Sequence, residues 1–219
     1  MNVMTFEEQK ILADHKINNH NFIVVRDPAT GEVLQVRKNL VLRSGREFDL
    51  RKIFGIPYAG ESVAALNSRT LCVFGIGTGG SPVANPFTPI APTPADTELN
   101  TRVAFRTANA ARPLSSTDAL KYTDSVTTGA ETAYFKKTFT STPSVTIDTA
   151  RDQVYVKVPL SISAQDARDQ LISELALYTA VQNSNVYSGF KIFSRVTFQT
   201  EPLQSATGKA LDIDYYVYA

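Results

Sequence analysis

The sequence predicts a mainly β protein: an antiparallel β-sandwich with one short helix and with extended proline-rich and N-terminal arms. Three observations lead there. Apolar and polar residues alternate in "RDQVYVKVPLSIS", "FKIFSRVTF" and "LDIDYYVY", the period of strands with one buried face. Turn-rich connections separate such runs. Prolines at 82, 86, 89, 92 and 94 keep the longest connection extended, because each removes a backbone donor and biases the residue before it away from the helical region.

Residues 1–21 form a polar opening with weak helical character, from Phe6, Ile11 and Leu12 among Glu, Gln and Lys. They read as an arm or short helix, and 22–219 as a single sandwich domain. Phe22-Ile23-Val24-Val25 begins a strand, Asp27-Pro28-Ala29-Thr30-Gly31 turns it, and Glu32 to Val36 returns as a hairpin. The one helix follows. Ser44-Gly45-Arg46-Glu47 fits a capping box, with Leu50, Ile53 and Phe54 at helical spacing until Gly55 stops it. "LCVFGIG" reads as a strand running into glycines, and residues 81–96 as a stiff surface strap.

Further strands are expected in "TAYFKKTF", "SVTIDTA" and "ISELALYTA". In the three alternating runs, Val154, Val156, Val158 and Leu160 share a face, as do Phe190, Ile192, Val196 and Phe198, and Leu211, Ile213, Tyr215 and Val217. Pro159 marks an edge or the end of its strand.

Composition narrows the chemistry. The chain has 219 residues, 43% of them hydrophobic, enough for a real core. Its 22 basic and 21 acidic residues leave a formal charge of +1, which predicts no electrostatic affinity for nucleic acid or an anionic membrane. No apolar run approaches the roughly 20 residues of a membrane-spanning helix. The opening "MNVMTFEEQK" has neither the basic nor the apolar region of a signal peptide. The single cysteine, Cys72, excludes an intrachain disulfide and reads as a small buried hydrophobe.

Gly75, Gly77 and Gly80 formally match G-x-G-x-x-G, and Asp96 stands where a ribose-binding carboxylate would be sought. That fingerprint requires the glycines to open a helix. Prolines follow instead, and Ser81 occupies the place of a Walker-type lysine. The glycines are therefore read as structural: Gly75, Gly77, Gly79 and Gly80 form a sharp turn, and the first three are expected at backbone angles that β-carbons resist.

Other candidates for chemistry are sparse. His15 and His20 lack metal-ligand spacing, and Asp212 and Asp214 share a face that reads as solvated. Asp166-Ala167-Arg168-Asp169 reads as a polar turn or one helical turn, with Arg168 solvated or capping. No G-x-S-x-G elbow is present. No catalytic, cofactor or metal residue is assigned, and no enzyme is expected. Arg46, Glu174 and Arg195 are candidates for structural or intersubunit ion pairs. Tyr215, Tyr216 and Tyr218 are either strand filling or an aromatic strip that meets another subunit.

"NLVLRSGREFDLRKIFG", "LCVFGIGTGGSP", "ADTELNTRVAFR", "ISELALYTA", "KIFSRVTF" and "LDIDYYVYA" occur in an order that resembles the structural virion proteins of tailed bacteriophages, particularly β-sandwich components of the tail, neck and baseplate. The matching positions are Asn39 to Arg46, Gly75 to Gly80, Asp96 to Leu99, Ile172 to Tyr178 and Ile192 to Phe198, within a resemblance spanning 39–219. It implies a non-enzymatic protein in the virion, assembled in the host cytoplasm in many copies and bound to other virion proteins as a homo-oligomer. No nucleic acid, membrane or small-molecule partner is implied. Head decoration is the alternative location. A carbohydrate-binding module is the alternative function; it would rest on Tyr178, Tyr187 and the terminal tyrosines, against the absence of tryptophan.

Overall fold

The computed structural model describes residues 21–82, 84–85, 87–108, 121–139, 141–149, 152–163, 166, 170–202 and 210–218. Two antiparallel sheets pack face to face, as a sandwich should. The smaller sheet holds β1 (Phe22–Arg26), β2 (Val33–Lys38), β9 (Ser144–Asp148), β10 (Gln153–Ile162) and β13 (Leu211–Tyr218), in the order β2-β1-β13-β10-β9. The larger runs through β3 (Leu40–Val41), β12 (Val186–Pro202), β11 (Leu171–Asn183), β4 (Arg69–Gly77), β8 (Glu131–Thr138) and β6 (Arg106–Ala108). Beside it, β5 (Arg102–Val103) pairs with β4 and β7 (Tyr122–Thr128) with β8. His15, His20 and Arg168 lie outside the described residues, as does all of the N-terminal arm except Asn21.

The hairpin forms as its turn chemistry demands. The Asp27 carboxylate accepts from the Ala29 amide at 2.8 Å, and Gly31 takes φ 73°. Pro159 lies within β10, beyond the Gln153 to Lys157 stretch that pairs with β9. In β13, Leu211, Ile213, Tyr215 and Val217 face the other sheet, where Phe74, Ile76, Leu175, Leu177, Val196 and Phe198 meet them.

The expected single face of "FKIFSRVTF" is corrected. Leu177 pairs with Ser194 and Tyr178 with Ile192, so Phe193 is the extra residue of a bulge. A bulge exchanges the faces. Phe190 and Ile192 therefore lie against the outer cluster with Leu42 and Tyr178, whereas Val196 and Phe198 enter the space between the sheets.

The expected helix is α1 (Arg43–Phe54), ended by Gly55 in the left-handed conformation at φ 66°. Its capping box does not form: Leu42 is the N-cap and supplies no side-chain bond. The Ser44 hydroxyl instead donates to the Ile192 carbonyl at 2.6 Å. Gly45 is the contact residue, since a β-carbon there would lie 2.2 Å from the Phe193 carbonyl oxygen. Only Gly45 and Phe48 of α1 are buried, and the helically spaced Leu50, Ile53 and Phe54 are exposed.

A second helix, α2 (Val63–Ser68), is not among the elements expected from the sequence. Ser62 caps its start, accepting from the Ala65 amide at 3.1 Å, and Lys52 of α1 closes its end. The Lys52 ammonium donates to the carbonyls of Leu66, Asn67 and Arg69 at 2.8, 2.8 and 3.0 Å, satisfying acceptors that a helix end leaves open.

Candidate functional site

The glycine turn does hold an anion, and the anion is internal. Glu174 on β11 is completely buried beside the end of β4. Its Oε1 accepts from the amides of Gly79 at 3.0 Å and Thr101 at 2.9 Å. Its Oε2 accepts from the Asn100 amide at 3.1 Å and from Nε and Nη2 of Arg195 at 3.0 and 2.6 Å. Backbone donors and a two-pronged guanidinium satisfy a charge that burial alone would make prohibitive.

This arrangement corrects the reason given for the glycines. Positive φ angles occur at Gly31, Gly55, Gly60, Gly129 and Gly189, and none of Gly75, Gly77, Gly79 or Gly80 is among them. What these four lack is room. A β-carbon would lie 2.4 Å from the Thr101 carbonyl oxygen at Gly77, 2.4 Å from the Asn100 β-carbon at Gly79 and 2.0 Å from the Ser173 carbonyl oxygen at Gly80. At Gly75 the nearest atoms stand at 3.2 Å, a tight fit within the continuous strand.

Arg195, on β12 and nearly fully buried, carries the network outward to the proline strap. Its Nη1 reaches the Asp96 carboxylate at 2.5 Å. Burial acts to raise the Asp96 pKa, but hydrogen bonds from Thr93 and Arg195, with the guanidinium charge, outweigh it and hold the carboxyl below its ordinary range. The strap is bonded elsewhere along its length: the Ile90 amide donates to the Gly80 carbonyl at 2.8 Å, the Thr197 hydroxyl to the Ile90 carbonyl at 2.8 Å, and the Arg43 amide to the Pro94 carbonyl at 3.0 Å. Asp96, the residue at ribose-carboxylate spacing, is thus the strap's ionic anchor.

Two neighbouring networks went unseen in the sequence. Lys136 is ion-paired to Asp124, lies 3.7 Å from Glu98 and sits 4.2 Å from the centre of the Tyr178 ring. Glu98 also accepts from the Tyr178 hydroxyl, whose pKa burial and that carboxylate drive well up. Lys137 contacts Asp166 at 2.8 Å, where Asp166 also accepts from the Tyr122 hydroxyl at 2.6 Å. The signal was the pair of lysines in "TAYFKKTF". Consecutive strand residues face opposite ways, so one ammonium had to enter the interior and find a buried acid. Of the two readings of the Asp166 segment, Asp166 itself is helical and the solvated polar turn is corrected: the residue is 2% exposed.

Arg46 is exposed on α1 and takes no part in the Glu174 network. Tyr215 faces the interior, its hydroxyl 2.6 Å from that of Ser194. Tyr216 stacks on Phe22 with ring centres 4.4 Å apart. Both are therefore strand filling, and Tyr218 lies half-buried against Tyr155. Tyr178 is 2% exposed, which removes it from any carbohydrate platform. Asp214 is no free carboxylate, with Lys157 at 3.1 Å and Arg26 at 3.4 Å. Cys72 is half-buried, and burial raises its thiol pKa. Among the described residues no group of three or more His, Cys, Asp or Glu is arranged to hold a metal, and no helix is long and apolar enough to cross a membrane.

Compared with known proteins, the chain matches no family model, and no curated protein or solved structure shows significant similarity to it.

Proposed function

We propose that this chain is a non-enzymatic structural component that assembles in multiple copies, and that its place is the tail, neck or baseplate of a tailed-bacteriophage virion, as the sequence resemblance implies. The observation that carries the assembly reading is the outward face of α1. Leu50, Ile53 and Phe54, together with Ile56 just beyond the helix, are 59%, 72%, 70% and 54% exposed. By their helical spacing Leu50, Ile53 and Phe54 make an apolar ridge, away from Gly45 and Phe48, which seat the helix on β12. A contiguous ridge of this kind marks a protein-binding surface. Buried ion pairs beneath the strap suit a scaffold that must keep its shape, with Glu174 and Arg195 held by each other and by backbone amides.

Light scattering across a concentration range, with negative-stain microscopy of the assembled species, tests this reading. A closed ring or other symmetric oligomer is expected, and Ile53→Glu with Phe54→Glu should reduce it to monomers without lowering the melting temperature. A monomer at every concentration that also fails to bind particles of a tailed phage would overturn it.

A further inference from the structure

Between the proline strap and the corner where the chain passes from β2 to β3 lies a cleft of about 870 Å³. Pro89, Pro92 and Pro94 form one wall. Arg37, Lys38 and Arg46 supply the charge, and the described residues lining the cleft include no acid. Three cations gathered in one cleft stand out in a chain whose formal charge is +1.

Asn39 lines the same cleft and is 9% exposed. Among the described residues, neither its amide nitrogen nor its amide oxygen has a hydrogen-bond partner, and Nε of Arg37 is likewise buried and unbonded. Leaving such groups unpaired destabilises the folded chain. Both amide atoms are out of solvent's reach, so the Asn39 side chain must turn toward the cleft to meet a ligand, which relieves that cost if it brings both an acceptor and a donor for the amide. A peptide bond does so, presenting a carbonyl oxygen and an N–H together.

The position favours an extended ligand. β2 and β3 are the outermost strands of their sheets, so the cleft passes strand edges. The strap opposite is stiffened by its prolines and pinned through Asp96, Thr197 and Arg43, so the wall is formed before anything binds.

We infer that this cleft binds an extended acidic peptide segment of a partner chain, Asn39 pairing with its backbone and Arg37, Lys38 and Arg46 with its carboxylates. The assignment concerns the cleft alone and stands apart from the chain's own assembly state.

The test is fluorescence anisotropy on the full chain with a fluorescein-labelled alternating Glu-Thr octapeptide and its Gln-Thr counterpart. The acidic peptide should bind at least about tenfold more tightly, the scale of one or two charge-assisted bonds. Asn39→Leu and Asn39→Asp should each weaken it about tenfold. Asn39→Leu should melt no lower than the parent chain, because no bond of the folded state is lost. Arg46→Gln should weaken binding severalfold, and Arg51→Gln, on α1 but outside the cleft, should leave it unchanged. Equal binding of the two peptides would overturn the inference. So would full binding by both Asn39 variants, or displacement by inorganic phosphate at the peptide's own concentration, which would mean that the cleft reads charge alone.

Discussion

The Arg195 guanidinium meets the Glu174 carboxylate at 2.6 Å in a place that water does not reach, with side-chain exposures of 3% and 0%. Removing one partner of such a pair strands a buried charge and typically costs about 3–5 kcal/mol. Arg195→Met should therefore destabilise severely. Glu174→Gln/Arg195→Met should recover part of that loss, because the neutral amide keeps an oxygen for the Gly79 and Thr101 amides. A double-mutant cycle on urea unfolding is expected to give a coupling of at least about 1.5 kcal/mol; a coupling near zero would dissolve the pair as an energetic unit.

Space, not backbone angle, governs the glycine turn, and two alanine substitutions separate these causes. At Gly31 φ is 73° and nothing lies within 4 Å of an added β-carbon, so Gly31→Ala should cost about 1–2 kcal/mol in conformational strain. At Gly80 the same carbon meets backbone at 2.0 Å. The relief must come from moving β11 away from the turn, and Gly80→Ala should cost about 3 kcal/mol or more. Comparing the urea midpoints decides it: equal losses would return the turn to a conformational explanation.

Local alternation made the strands legible. β13 could be read residue by residue because Leu211, Ile213, Tyr215 and Val217 each obey a period that depends on nothing distant. Features set by other parts of the chain could not be read this way. The bulge at Phe193 shows no break in the local pattern, yet it exchanges the faces of β12. α1 has an apolar stripe at proper helical spacing, and only the close seat of Gly45 on β12 turns that stripe outward. The Glu174–Arg195 pair was reachable because both residues stand on recognised strands. Its third member, Asp96, lies 99 positions from Arg195 across a segment without periodicity. The Asn39 cleft left no sequence signal, since an unpaired amide is a property of its surroundings.

Ser194 and Tyr215 test how the two sheets are joined. Their hydroxyls lie 2.6 Å apart with both residues fully buried, and burial drives the Tyr215 pKa far up despite its hydrogen bond with Ser194. Ser194→Ala leaves the phenol unpaired at a cost of about 1–3 kcal/mol. Adding Tyr215→Phe removes the stranded group, so the double variant should be more stable than Ser194→Ala alone. Thermal melts rank the variants, and a double variant below both singles would contradict this account.

Asp166 makes stability depend on acid. Burial acts to raise its pKa, but the Lys137 charge and the hydrogen bonds from Lys137, Tyr122 and Ser163 outweigh that and depress it below the ordinary carboxylate value. A folded pKa below the unfolded one means that the unfolded chain takes up the proton first as pH falls. The stabilisation is thus fully present above the unfolded pKa of about 4 and is lost as pH falls through the folded value. Asp166→Asn leaves the Lys137 ammonium buried without its counter-charge, and at pH 7 it should cost about 3–5 kcal/mol. That deficit should narrow steadily once the pH drops below about 4, because the parent chain then loses what the variant never had. Urea unfolding of both proteins at pH 7, 4 and 2.5 measures the gap. A gap of constant size down to the lowest pH would show that Asp166 contributes shape and hydrogen bonds there rather than charge.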